Sequence, residues 1–90
     1  MLQIHAIVEG FVQGVNFRYY AMQRAKMLKL KGFVRNTVDG KVEVLAQGSK
    51  QQLERMVEWL WHGPASASVE HVAVEWKKSA KKFKGFSIKR

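Results

Sequence analysis

The hydrophobic period changes after the first strand-like segment of the chain. Residues 2 to 8 place apolar side chains at every second position, which predicts a β-strand with one buried face. From Phe17 the apolar positions recur at spacings of four, four and three, which predicts a helix over about residues 16 to 30. Gly32 is the expected terminator of this helix. The apolar stripe of the helix consists of Phe17, Ala21, Ala25 and Leu28.

A hairpin is predicted in the middle of the chain. Two strand-like runs, residues 33 to 38 and 41 to 46, flank the dipeptide of Asp39 and Gly40. An Asp-Gly pair between two such runs favours a tight turn in which both residues take a positive φ. These runs are the predicted second and third strands.

The second predicted helix has clear start and stop signals. Ser49 is followed three residues later by Gln52, which is the pattern of a capping box. The helix should continue to about His62, because Gly63 and Pro64 follow.

The remaining elements complete a βαββαβ order. Residues 69 to 76 alternate again, and Phe86 and Ile88 indicate a short last strand. This order predicts an α+β, ferredoxin-like split βαβ fold, in which two helices cover one face of an antiparallel four-stranded sheet with a possible short fifth strand. In that plan strands 1 and 2 run parallel with strand 3 between them, so both end at the same edge of the sheet.

The composition is that of one folded domain over residues 1 to 90. The chain is 47% hydrophobic and has one proline. It has no cysteine, which excludes disulfides, thiolate metal sites and a cysteine nucleophile. No apolar run approaches the length of about 18 residues that a membrane span needs, and no basic segment precedes an apolar one at the N-terminus, so we expect a cytoplasmic protein. His5, His62 and His71 lack the spacing of metal ligands, so no metal or cofactor is expected.

The charge indicates an anionic partner without identifying it. Sixteen Lys and Arg against seven Asp and Glu give a net charge of +9, which attracts nucleic acids and small phosphate esters alike. The bases are concentrated in the last residues, where 77 to 90 contain no acid. We interpret the lysines within 77 to 84 as a solvated loop.

The segment between the first strand and the first helix can bind a phosphate. A glycine-containing loop that opens a helix leaves backbone N–H groups unpaired at the positive end of the helix dipole. Arg18 lies in the first helical turn, where a cation is unfavourable without another function. Asn36, a poor strand former near the end of strand 2, should approach the same loop.

These two segments resemble the two signatures of the acylphosphatase family. Residues 10 to 18 read GFVQGVNFR, and residues 32 to 42 read GFVRNTVDGKV before the glycine at position 48. Every fixed position of both signatures is present, in the right order and separation. The resemblance continues through Gly63 and Pro64, the strand at 69 to 76 and the last residues.

The resemblance implies a metal-independent and cofactor-independent hydrolase of the carboxyl-phosphate anhydride bond. Arg18 and the backbone amides of the loop are then expected to bind the phosphoryl group, while Asn36 orients the attacking water. Inorganic phosphate or sulfate should compete for that loop. An acyl phosphate releases a stable carboxylate, so no general acid is demanded, and the phosphate of the substrate is the expected proton acceptor. The loop residues are Gln13, Gly14, Val15, Asn16 and Phe17.

Two other functions remain open from the sequence. An RNA-binding module of the RNA-recognition-motif type shares the βαββαβ order, but its aromatic motif belongs on strand 3, and here residues 31 to 34 lie on strand 2. We therefore expect no specific nucleic-acid partner. The second is a carbamoyl-phosphate-binding regulatory domain of a larger hydrogenase-maturation protein. A chain that starts at Met1 and stops at Arg90, just after its last strand, favours a stand-alone enzyme.

Overall fold

Two helices pack on one face of a five-stranded sheet. A computed structural model describes all 90 residues. Helix α1 packs against β2 and β5, and α2 packs against β1 and β4. The elements, in chain order, are β1 (Leu2–Phe11), α1 (Phe17–Met27), β2 (Lys31–Asn36), β3 (Val42–Gln47), α2 (Lys50–His62), β4 (Ser68–Lys78) and β5 (Phe86–Lys89).

The sheet has the predicted topology with one addition. Its strand order is β4-β1-β3-β2-β5. Strand β3 is antiparallel to both β1 and β2, so β1 and β2 are parallel and end at the same edge, as predicted. Strand β5 is a true fifth strand that pairs parallel with β2, which makes the sheet mixed instead of purely antiparallel. Neither helix is long and apolar enough to cross a membrane.

The core lies between the sheet and the helices. The inward side chains of β1 at positions 4, 6 and 8 are fully buried, and the predicted stripe of α1 is buried at Phe17, Ala21 and Ala25. The capping box of Ser49 and Gln52 is present at the start of α2. The second helix buries Leu53, Met56 and Leu60.

The predicted role of Gly32 is wrong. Helix α1 ends at Met27, and Lys29 reverses the chain in the left-handed conformation with a φ of 60°. Gly32 lies inside β2 with a φ of 142°, where a Cβ atom would stand 1.9 Å from the Leu45 carbonyl oxygen on β3. The glycine is needed for the close approach of two strands and not for ending a helix.

The hairpin between β2 and β3 is present, but its turn differs from the predicted one. Only Gly40 has a positive φ, of 88°, and Asp39 does not. The Thr37 N–H donates to the Lys41 carbonyl at 2.9 Å, so three residues make the turn instead of two. The Thr37 hydroxyl donates to the Asp39 carboxylate, and this bond together with nearby Lys41 holds the pKa of Asp39 below its usual range.

An ion-pair network lies on the sheet face opposite the helices. The Glu43 carboxylate contacts His5, with 2.5 Å between Oε2 and Nε2, and pairs with the Arg35 guanidinium. These two partners, His5 foremost, lower the pKa of Glu43 against the opposing effect of its burial. The network fixes neighbouring strands β1, β2 and β3 to one another.

The predicted solvated loop at 77 to 84 is wrong in part, because β4 extends to Lys78 and pairs there with β1. The segment that follows is anchored, although its lysine side chains are exposed as expected. The Gln47 side chain donates to the Lys81 carbonyl at 2.5 Å and accepts from the Phe83 N–H at 3.2 Å. The Phe83 ring packs edge-on against Phe33, with 6.0 Å between the ring centroids. The backbone of this segment is therefore held against the sheet.

Candidate active site

The loop between β1 and α1 is shaped by two residues in the left-handed conformation. Gly14 has a φ of 76° and Asn16 a φ of 62°. Glycine adopts this conformation without steric cost, and asparagine tolerates it better than most residues. Asn16 occupies the N-cap position of α1, but its side chain makes no capping hydrogen bond. The first N–H groups of α1 therefore receive no hydrogen bond acceptor from the Asn16 side chain.

The backbone N–H groups of residues 13 to 16 donate no hydrogen bond to another backbone group. The N–H groups in the first turn of any helix also lack an intrahelical acceptor. The first turn of α1 contains no acidic residue. A run of free donors at the positive end of the helix dipole attracts an anion.

Arg18 is the second residue of α1 and is half-buried. It forms no ion pair with any carboxylate of the chain. A guanidinium at this end of a helix is mildly unfavourable. Its charge is therefore uncompensated by the protein itself.

Asn36 is the last residue of β2 and is also half-buried. Strand pairing places it opposite Val42 of β3. It lines the same cavity as Arg18, with a volume of about 210 Å³. The cavity is lined by Val12, Gly14, Asn16, Phe17, Arg18, Tyr19, Asn36, Ile88 and Arg90.

Five of the seven site residues expected from the sequence line this cavity, and two do not. Gln13 and Val15 belong to the same loop but point elsewhere. The Gln13 side chain bonds to the β2-β3 hairpin, and the Val15 carbonyl accepts from the Ser66 hydroxyl at 2.9 Å. Gln13 and Val15 can therefore donate only their backbone N–H groups to an anion.

Sequence reasoning missed the cavity residues outside the two motifs. Ile88 and Arg90 reach the cavity because β5 pairs parallel with β2, with Val34 opposite Ile88. The sequence predicts the last strand only as a possible fifth one, so its residues cannot be placed at the site from the sequence. The alternation of Phe86 and Ile88 was the available signal, but it did not indicate the neighbouring strand.

A larger groove of about 510 Å³ lies elsewhere, along α1 and the segment after α2. Tyr20, Met27, Trp59 and Pro64 contribute much of its wall, and Arg24 is its one charged residue. It contains none of the free loop amides. The smaller cavity therefore holds the groups that suit a phosphoryl anion.

Comparison with known proteins identifies the family of this chain. A family model described as acylphosphatase matches residues 4–88. The chain belongs to the acylphosphatase family. It is accordingly an enzyme, a hydrolase that acts on acid anhydrides and takes small-molecule acyl phosphates. The family, fold and activity expected from the sequence are confirmed.

Individual acylphosphatases match over almost their whole length. The acylphosphatase of Roseiflexus sp. (strain RS-1) is 42% identical over 88 residues, which cover 98% of this chain and 95% of that protein. The acylphosphatase of Pasteurella multocida (strain Pm70) is 45% identical over 89 residues, which cover 99% of each. The crystal structure of acylphosphatase from Bacillus subtilis superimposes with a TM-score of 0.97 at 40% identity, and the match covers 100% of both chains.

Proposed function

We propose that the 210 Å³ cavity is where this acylphosphatase hydrolyses its substrate. Arg18 and the backbone N–H groups of residues 13 to 17 bind the phosphoryl group, and Asn36 orients the attacking water. One observation carries the proposal. An uncompensated guanidinium, a loop with unpaired amides and an amide side chain from the end of β2 meet at this one cavity.

The phosphoryl group is bound by charge and by fixed donors. A guanidinium presents parallel N–H donors to two phosphoryl oxygens at once. The loop amides supply further donors whose directions are set before the substrate arrives, so no reorganisation is needed as charge shifts in the transition state. Binding and transition-state stabilisation thus come from the same groups.

The water is held by an amide, which cannot remove its proton at neutral pH. No Asp, Glu or His side chain lines the cavity. As the water oxygen bonds to phosphorus, the bond from phosphorus to the acyl oxygen breaks and its electron pair leaves on the carboxylate. A phosphoryl oxygen of the substrate accepts the proton of the water. Positioning and charge neutralisation are then the whole task of the protein.

Hydrolysis of a simple aryl-acyl phosphate in the presence of a chelator tests this function. The chain has no group of three or more His, Asp or Glu side chains that could hold a metal ion. We therefore expect the rate, followed by loss of absorbance, to be the same with and without the chelator. Loss of activity on chelation, with recovery on adding a divalent ion, would overturn the proposed mechanism.

Inorganic phosphate and sulfate are expected to inhibit competitively, because a tetrahedral anion should occupy the donors that bind the phosphoryl group. Steady-state rates at several inhibitor concentrations give the inhibition constant. The matched pair is Arg18→Ala, which should weaken inhibition strongly, and Arg24→Ala on the same helix, which should not. Purely noncompetitive inhibition would place the anion site elsewhere.

Three further expectations stay predictions. They are a single domain over residues 1 to 90, a cytoplasmic location, and the absence of specific nucleic-acid binding. Binding of RNA or single-stranded DNA should be weak and should fall steeply with salt, because charge alone drives it.

A further inference from the structure

The Gln13 side chain joins the loop before α1 to the hairpin after β2. Its Nε2 atom donates to two carbonyl oxygens, those of Thr37 and Lys41, each at 2.8 Å. The two acceptors lie 24 and 28 residues further along the chain. A primary amide has two N–H donors on one nitrogen, so this arrangement uses its full donor capacity.

The two carbonyl acceptors of Gln13 belong to Thr37 and Lys41, the residues that close the hairpin turn. The Thr37 N–H donates to the Lys41 carbonyl at 2.9 Å, and the Lys41 N–H donates to the Thr37 hydroxyl at 3.0 Å. Thr37 directly follows Asn36 in the chain. A group that holds the Thr37 carbonyl therefore also fixes the backbone from which the Asn36 side chain extends.

Gln13, the donor of both bonds, lies in the loop that carries the phosphoryl-binding amides. The other side-chain bond of this loop, from Ser66 to the Val15 carbonyl, leads to the segment after α2. Gln13 thus makes the side-chain hydrogen bonds that join the loop to the hairpin. Hydrogen bonds are directional, so these two bonds set the position of the hairpin relative to the loop.

We propose that the Gln13 side chain is a positioning residue, which fixes the separation between the phosphoryl group on the loop and the water on Asn36. This rests on the proposed function of those two groups. In-line attack needs the reacting atoms in a near-attack geometry, and an error of about 1 Å in such a geometry costs on the order of 10²-fold in rate. Gln13 acts through Asn36 and touches neither water nor substrate with its side chain.

Gln13→Met is the decisive variant. Methionine keeps the length of the side chain and the backbone N–H but has no donor, so the loop can still bind the anion. We expect kcat to fall by about 10- to 100-fold, while the inhibition constant of phosphate stays within about twofold. Gln51→Met is the matched control, because Gln51 is exposed on α2 and no residue of that helix lines the cavity. It should leave both constants unchanged.

A parallel rise in the inhibition constant of phosphate would show that Gln13 shapes the anion site itself, and would overturn the proposal. Gln13→Glu is the second variant, because a carboxylate of the same size faces two carbonyl oxygens without a proton to donate. Its kcat should fall at least as much as that of Gln13→Met. Denaturation midpoints show that each variant is folded at the assay temperature.

A double substitution separates positioning from a general structural role. In an Asn36→Ala background there is no side chain to position, so adding Gln13→Met should lower kcat by less than about threefold further. Equal losses in both backgrounds would overturn the proposal. Full activity of Asn36→Ala alone would instead refute the water assignment, which distinguishes failure of the proposed function from failure of the inference.

Discussion

Arg18→Lys is expected to lose nearly as much turnover as Arg18→Ala. Lysine keeps the positive charge but presents it as a single flexible ammonium, without the planar fork that contacts two phosphoryl oxygens. The loop amides fix where the phosphoryl group sits, so a cation that cannot match that position contributes little in the transition state.

Removal of one preorganised donor commonly costs roughly 10² to 10³ in rate. Arg18 supplies two donors together with the charge, so its loss should cost at least that much in kcat/KM. The measurement is steady-state hydrolysis of an aryl-acyl phosphate by wild type and both variants. Near-normal turnover in either variant would show that the phosphoryl site lies elsewhere.

The Arg18 substitutions should lower activity without lowering the stability of the fold. Arg18 lies at the positive end of the α1 dipole without an acidic partner, and such a placement is unfavourable by about 0.3 to 1 kcal/mol. Its replacement should leave the denaturation midpoint unchanged or slightly higher. Arg24→Ala is the matched control, because Arg24 lies in the last turn of α1, where its charge is favourable. That variant should keep turnover and lose a little stability, so a large stability loss in the Arg18 variants would mark Arg18 as a structural residue.

The elements of this fold could be predicted because their signals are local. The buried residues of α1 from Phe17 to Ala25 recur at the spacing of a helical turn. The capping box at Ser49 involves four consecutive residues. Gly32 shows the limit of such signals. A glycine indicates that a side chain is not tolerated, but only the register of β2 on β3 shows that the Leu45 carbonyl is the reason.

Some residues of the candidate site could be predicted from the sequence, and others could not. Arg18 and Asn36 could be placed together because each lies at the end of an element whose position the topology determines. The contributions of Arg90 and of the Gln13 side chain depend on the pairing of β5 and on a side-chain conformation. No hydrophobic pattern in the sequence indicates either of these two features.

Asn36→Ala is expected to separate catalysis from anion binding. The Asn36 amide is proposed to hold the water, so its loss should lower kcat by about 10²-fold or more. The inhibition constant of phosphate should change little, because Arg18 and the loop amides remain. The pair of measurements is turnover and competitive inhibition on the same preparations.

The fold should tolerate this substitution, which makes the result interpretable. Asn36 ends β2, asparagine is a poor strand former, and alanine leaves the strand pairing with Val42 intact. Val38→Ala in the adjoining turn is the control for disturbance of the hairpin, because the Val38 side chain is fully exposed. It should leave turnover and inhibition unchanged. If inhibition by phosphate weakened as much as turnover in Asn36→Ala, the amide would belong to the anion site, and the water would have to be oriented by another group lining the cavity.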